Sequence, residues 1–240
     1  MRRSKASTST EEVTQMQASQ DHCSFCFDVL ISHLTKVDSP APDFADGYQP
    51  LFVTWNKSSN WGQNTQLRGC IGTLEPRRLH TAVKDYALTS ALRDSRFSPV
   101  QLKEVSQLSC SVSLLRCFEE AASWQDWEIG QHGLIIDFTD PVLSCKRTAT
   151  FLPEVAGDQG WSKQQCIEAL IRKAGYQGKP SQELLDSLHV TRYQSSKAAL
   201  SFADYQAGSC SRLQEDVEQL LLQGSSSSSS RGRLGKLLFA

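Results

Sequence analysis

Two β-prone runs, residues 51–57 (LFVTWNK) and 67–75 (LRGCIGTLE), constrain this chain more than any other feature. With NKSSNWGQNTQ as the turn between them they predict a hairpin, and a hairpin commits its sheet to antiparallel pairing. Residues 108–118 (LSCSVSLLRCF) and 133–138 (GLIIDF) read as further strands. Residues 147–152 (RTATFL) can pair with the latter across the loop at Asp140 and Pro141, and LHVTRYQS can return as a last strand. Helical periodicity appears between these runs: from near Glu12 to Thr35, from Leu79 to near Asp94, and after Ser162. In the third of these Ser162 and Gln165 form a capping box, Cys166, Ile167, Leu170, Ile171 and Ala174 form an apolar face, and Gly175 stops the helix. SKAALSFADY is helical or irregular. Hairpins with interleaved helices predict an α+β fold, a mixed and largely antiparallel sheet flanked by helices, rather than a doubly wound one.

The chain has 240 residues, enough for one sizeable domain with its own core. Its formal net charge of -1 leaves no electrostatic footprint for nucleic acid. No apolar run approaches the roughly 18 residues of a membrane span, and Met1 to Thr10 leads into Glu11 and Glu12 rather than an apolar signal segment. Neither nucleic acid nor a membrane is therefore expected as a partner. Residues 1–13 read as a disordered terminus, although a basic, Ser/Thr-rich opening is also what transit peptides carry. Residues 14–207 read as the domain. Residues 208–240 read as a low-complexity tail, with a short helix at 213–222 and a serine run at 225–230 that cannot bury apolar surface.

Eight cysteines raise the question of metal. Cys23 and Cys26 form the one C-x-x-C, and no second close pair completes a zinc set. Cys23, Phe27, Leu30, Ile31 and Leu34 fall on one helical stripe, where cysteine serves as a small core residue. No metal and no cofactor are expected, since no phosphate loop, dinucleotide fingerprint or nucleophile elbow is present.

The LRGCIG segment is unusual for a strand. Simple alternation puts Arg68, Cys70 and Gly72 on one face and Leu67, Gly69, Ile71 and Thr73 on the other, with Leu67 and Ile71 anchoring the core. Arg68 and Cys70 would then lie roughly 6.5 Å apart, close enough for the guanidinium to favour a thiolate, and Gly72 would leave room for a ligand or another backbone. The segment equally admits a packing reading: a buried thiol, glycines at a bulge or against a helix, and Arg68 clamped on Asp94 or Glu104. His132, in the GQHGL turn between Gly130 and Gly133, could be the base for a Cys70 nucleophile or an ordinary turn histidine. Arg96 and Arg147 could add positive charge around Cys70 or could be consumed in ion pairs.

In order along the chain, LRGCIGT, ALTSALRDSRF, WEIGQHGLIIDF, RTATFLPEVAGDQGW, LIRKAGY and TRYQS closely resemble the AMMECR domain family, over about Cys23 to Tyr205. CSFCFDVL and TRYQS are similar to its eukaryotic branch. The resemblance implies a larger and a smaller subdomain with the LRGCIG segment lining a groove between them. It implies no settled activity. Prokaryotic relatives tend to be encoded beside, or fused to, a dioxygenase-like partner and a radical SAM protein, and eukaryotic ones are regarded as nuclear or cytoplasmic regulatory proteins. The expectation is thus a cytoplasmic or nuclear regulatory or adaptor protein holding a peptide or protein partner in that groove, with Arg68, Gly69, Gly72, Arg96 and Arg147 as contacts. The alternative is an enzyme acting on a small anionic molecule, with Cys70 as reactive thiol and His132 beside it. The Pro141-Val142-Leu143 loop departs from the family pattern.

Overall fold

The computed structural model describes residues 16–58 and 65–208. The expected N-terminal and C-terminal tails, and the middle of the first hairpin turn, lie outside the described residues. The first helix, α1 (Gln20–Thr35), starts later than its periodicity suggests. Ser19 is extended at its N-cap, and its N–H is taken by the imidazole Nδ1 of His22, so α1 begins there; Glu12, where the periodicity placed the start, lies outside the described residues.

Strands β1 (Tyr48–Ser58) and β2 (Thr65–Arg78) form the first hairpin, followed by α2 (Leu79–Leu92) and a 3-10 turn at Leu102–Gln107. Then come β3 (Leu108–Glu120), the hairpin of β4 (Gly133–Thr139) and β5 (Lys146–Phe151), and α3 (Glu154–Asp158). The chain continues through α4 (Lys163–Lys173), α5 (Gln182–Asp186), β6 (His189–Ser201) and α6 (Phe202–Gly208). Among the described residues six strands run in the order β2-β1-β3-β6-β4-β5, with every ladder antiparallel. This is the α+β architecture expected. The last strand lies near the middle of the sheet, joining the two halves.

β6 is longer than the sequence suggests. The segment SKAALS continues the strand to Ser201, because Ala198 and Leu200 meet Val112 and Cys110 of β3 while Lys197 and Ala199 turn to the other face. α4 is as expected: the Ser162 hydroxyl accepts from the Gln165 N–H and the Gln165 side chain accepts from the Ser162 N–H.

Alternation sorts the sheet into two faces. Leu51, Val53 and Trp55 of β1, Cys110, Val112 and Leu114 of β3, and Leu200 of β6 are buried with residues of α1, α2 and α6 in one core. The same face continues through Val190 of β6 and Leu134 and Ile136 of β4 into a second core with α4 and α5. Burying this much apolar surface supplies the main drive for folding. The opposite face carries Phe52, Thr54, Ser111, Ser113, Tyr193, Ser195 and Lys197, a surface rich in small hydroxyls. If the sheet were flat, β2 and β5 would be roughly 24 Å apart. Instead Lys173, bound to β5, lies within electrostatic reach of Cys70 on β2. The sheet is therefore curled into a half-barrel with its hydroxyl-rich face inside, and a seam runs between its two edge strands.

Candidate functional site

The seam begins with an irregularity in β2. Gly69 opposes Trp55 and Leu67 opposes Asn56, which leaves Arg68 as an extra residue in a bulge. The bulge breaks the alternation. Cys70 stays opposite Thr54 on the inner face, while Arg68 turns to the helical side and gives its guanidinium to Glu104 from Nε (3.3 Å) and Nη2 (3.1 Å). The Lys57 ammonium meets the same carboxylate at 2.8 Å. Burial alone would raise the Glu104 pKa, but Arg68 and Lys57 hold it at about 2. Arg68 and Cys70 therefore do not share a face, and Arg68 is a clamp on Glu104. Leu67 does not anchor the core either: beside the bulge near the hairpin end it is 41% exposed.

Both glycines of the motif make room for the protein itself. A Cβ at Gly69 would collide with the backbone carbonyl of Ser90, so α2 sits directly on β2. A Cβ at Gly72 would strike the Leu51 carbonyl and the Phe52 ring of the neighbouring strand, which occupy the space expected for a ligand.

β2 is an edge strand, and its outward backbone groups need partners. At Cys70 they have them: the N–H donates to Asp94 Oδ2 (3.0 Å) and the carbonyl accepts from Arg96 Nη2 (3.3 Å). Asp94 and Arg96 are themselves joined at 2.6 Å and 2.9 Å. Those guanidinium bonds, outweighing burial, lower the Asp94 pKa to about 2. Inside the seam the Thr54 hydroxyl donates to Cys70 Sγ at 3.1 Å. Burial pushes the Cys70 thiol up despite Thr54, Arg96 and Lys173, so it is protonated at neutral pH.

The opposite edge is held by Lys173 at the end of α4. Its ammonium donates to the Thr150 carbonyl (2.7 Å) and lies 4.8 Å from the centre of the Phe151 ring. It forms no ion pair among the described residues. Lys173 is an exposed residue, yet partial desolvation lowers its pKa; Cys70 opposes the shift and Arg96 adds to it. The floor between the edges is Tyr193, buried against Gly133 and stacked on Phe118. Its hydroxyl meets Thr150 Oγ1 and the Phe151 carbonyl, each at 3.0 Å. Lys197 and Glu154 pair at 2.6 Å on the adjoining inner surface.

The remaining expected residues are engaged in other contacts. His132 Nδ1 accepts the Glu128 N–H at 2.9 Å and holds its turn, on the Asp126 side of the molecule rather than beside Cys70. No Cys70–His132 dyad is assembled. Arg147 binds Asp140 Oδ2 (2.6 Å) and the Ala174 carbonyl (2.9 Å), tying the β4–β5 loop to the end of α4. Arg96 is thus the one expected cation that the structure brings to Cys70. Thr54, Asp94, Lys173 and Tyr193 were not singled out from sequence as site residues, though LIRKAGY and TRYQS contain the last two.

The segments that build this seam also decide the family, because the AMMECR1 family profile matches residues 23–198, from α1 into β6. The chain belongs to the AMMECR1 family. An AMMECR1 relative in Arabidopsis thaliana, an uncharacterised protein, is 48% identical over 190 residues, covering 79% of this chain and 88% of that protein. One in Schizosaccharomyces pombe, also uncharacterised, is 35% identical over 191 residues, covering 78% and 94%. The crystal structure of the uncharacterised protein PH0010 from Pyrococcus horikoshii superposes with a TM-score of 0.61 at 25% identity, over 74% of this chain and 89% of that one. The AMMECR1 fold is therefore common to both, while the family carries no assigned activity. Among the described residues no helix is long and apolar enough to cross a membrane, and no cluster of His, Cys, Asp or Glu is arranged to hold a metal.

Proposed function

We propose that this AMMECR1 protein is a regulatory or adaptor module that holds an acidic segment of a protein partner in the seam between β2 and β5. The observation that carries the reading is the Lys173 ammonium, which is fixed on a carbonyl and a ring but has no carboxylate partner among the described residues. A ligand carboxylate can complete it without breaking an existing ion pair. Arg96, its side chain 54% exposed, offers a second cationic contact beyond Asp94. Thiol catalysis is less well supported, because Cys70 is a protonated thiol with no imidazole beside it.

Fluorescence anisotropy with labelled peptides of graded Asp and Glu content tests this. Removing one charge-assisted contact is worth about 1.5–3 kcal/mol, so Lys173→Met should weaken acidic peptides by roughly 10- to 100-fold. Lys173→Arg, which keeps the cation, should retain most of the binding. Acidic peptides that bind wild type and Lys173→Met equally, or that bind neither, overturn the proposal.

A further inference from the structure

We infer that a second site, in a cavity where β1, β2 and β3 separate, binds a small monocarboxylate with an aryl or alkyl body, its carboxylate on Arg116. The site uses neither Lys173 nor Arg96 and stands apart from the adaptor reading of the seam.

Regular pairing stops in all three strands at one level. The β1–β3 ladder ends where Leu51 opposes Leu114, and beyond it the Gln49 side-chain amide donates to the Leu115 carbonyl at 3.1 Å. Between β1 and β2 the register jumps from Leu51 opposite Thr73 to Gln49 opposite Arg77, so Pro50 stands against residues 74–76. Between β3 and β6 it jumps from Arg116 opposite Gln194 to Glu119 opposite Arg192, which leaves Cys117 and Phe118 against Tyr193 alone, with Cys117 at φ 53°. A residue other than glycine rarely takes that conformation, and bulges of this kind re-aim side chains. These interruptions leave a cavity of about 540 Å³ whose walls include Met16, Pro50, Pro76, Leu115 and Phe118. Tyr48 and Phe118 give it exposed aromatic surface.

Among the described residues Arg116 is the one charged side chain that lines this space, and it is left unsatisfied. The residue is half-buried, its Nε is sealed from water without an acceptor, and its guanidinium has no carboxylate partner among the described residues. The other arginines withdrawn from solvent all have one: Arg68 holds Glu104, Arg147 holds Asp140, and Arg192 holds Glu119 and Asp126. A guanidinium kept from water needs an acceptor, and a carboxylate matches its fork with two parallel bonds. The apolar walls then receive the body of the acid, and the volume is in the range of small-ligand sites.

The test uses Cys117, an exposed thiol in the cavity wall, as a reporter in the full chain, with Cys145, exposed in the β4–β5 loop, as the internal control. The probe is 4-phenylbutyrate, for which the number of atoms sets a Kd on the order of 1 mM. At saturation and matched ionic strength it should slow iodoacetamide labelling of Cys117 severalfold and leave Cys145 unchanged. The neutral analogue 4-phenylbutanol should bind roughly tenfold or more weakly than the acid, and Arg116→Met should weaken the acid by a similar factor. Arg116→Lys should fall between wild type and Arg116→Met. Absence of protection at Cys117, or equal protection of both thiols, overturns the inference. Equal affinity for the acid and the alcohol overturns the role of Arg116, and because that comparison is made on the wild-type protein it decides the question even where Arg116→Met fails to fold.

Discussion

Replacing Asp94 by asparagine probes how the β2 edge is closed. The side chain is 4% exposed and accepts from the Cys70 N–H, the Arg96 N–H and the Arg96 guanidinium. Its pKa falls from 3.8 to about 2, a preference for the charged form that corresponds to roughly 2 kcal/mol of native-state stability at neutral pH. Because the folded value is the depressed one, this contribution is complete above the unfolded value of 3.8 and disappears as pH falls through about 2. Asparagine keeps one acceptor oxygen and loses the charge, so the electrostatic part should vanish while the shape remains. Urea unfolding at neutral pH should show Asp94→Asn destabilised by about 2 kcal/mol, with the gap narrowing to about half near pH 3 and closing near pH 2. Because only the difference between the two proteins is read, other carboxylates, Glu104 among them, cancel. Equal stabilities at neutral pH, or a gap that persists undiminished at pH 2, would refute the idea that this carboxylate acts as a charged cap.

Two further outcomes follow from the same strand. Gly69→Ala should lower stability by about 1–3 kcal/mol, at the upper end because the atom in the way is a backbone carbonyl that cannot rotate aside, and a melting temperature unchanged from wild type would contradict the tight seating of α2 on β2. Brief iodoacetamide treatment should label exposed Cys117 and Cys145 first, half-buried Cys70 more slowly, and buried Cys23, Cys110 and Cys166 only on unfolding; Lys173→Met should slow Cys70 further by removing a cation that favours its thiolate, and site-resolved mass spectrometry showing Cys70 as the fastest thiol would contradict its burial.

The sequence made plain whatever depends on neighbours along the chain. The two hairpins, the antiparallel sheet, the helix opened by Ser162 and Gln165, and the core positions of Cys23, Phe27 and Leu30 all follow from local periodicity and capping. The bulge at Arg68 could not be read in the same way. Whether a strand carries an extra residue is settled by what its partner offers, here Trp55 and Asn56, and one residue in excess moves Arg68 to the other face. The choice of Glu104 over Asp94 for the Arg68 clamp is likewise decided by which face that bulge selects. Lys173 was hidden for a related reason. Its value lies in facing Cys70 across a curled sheet, a relation between the two outermost strands that no window of sequence contains.

The position of β6 has a consequence for how the protein is made. The caps on the two edges are local in the chain: Cys70 to Asp94 spans 24 residues, and Thr150 to Lys173 spans 23. Each half can therefore seal its outer edge soon after it leaves the ribosome. The inner edges of β3 and β4 have to wait for residues 189–201, which pair with both. Until then a nascent chain carries two half-sheets whose open sides are complementary to a strand not yet synthesised, and the same sides are available to other strands. Ribosome pauses before β6, or truncations within it, would expose both at once, so the passage of this one segment through the exit tunnel separates productive folding from aggregation.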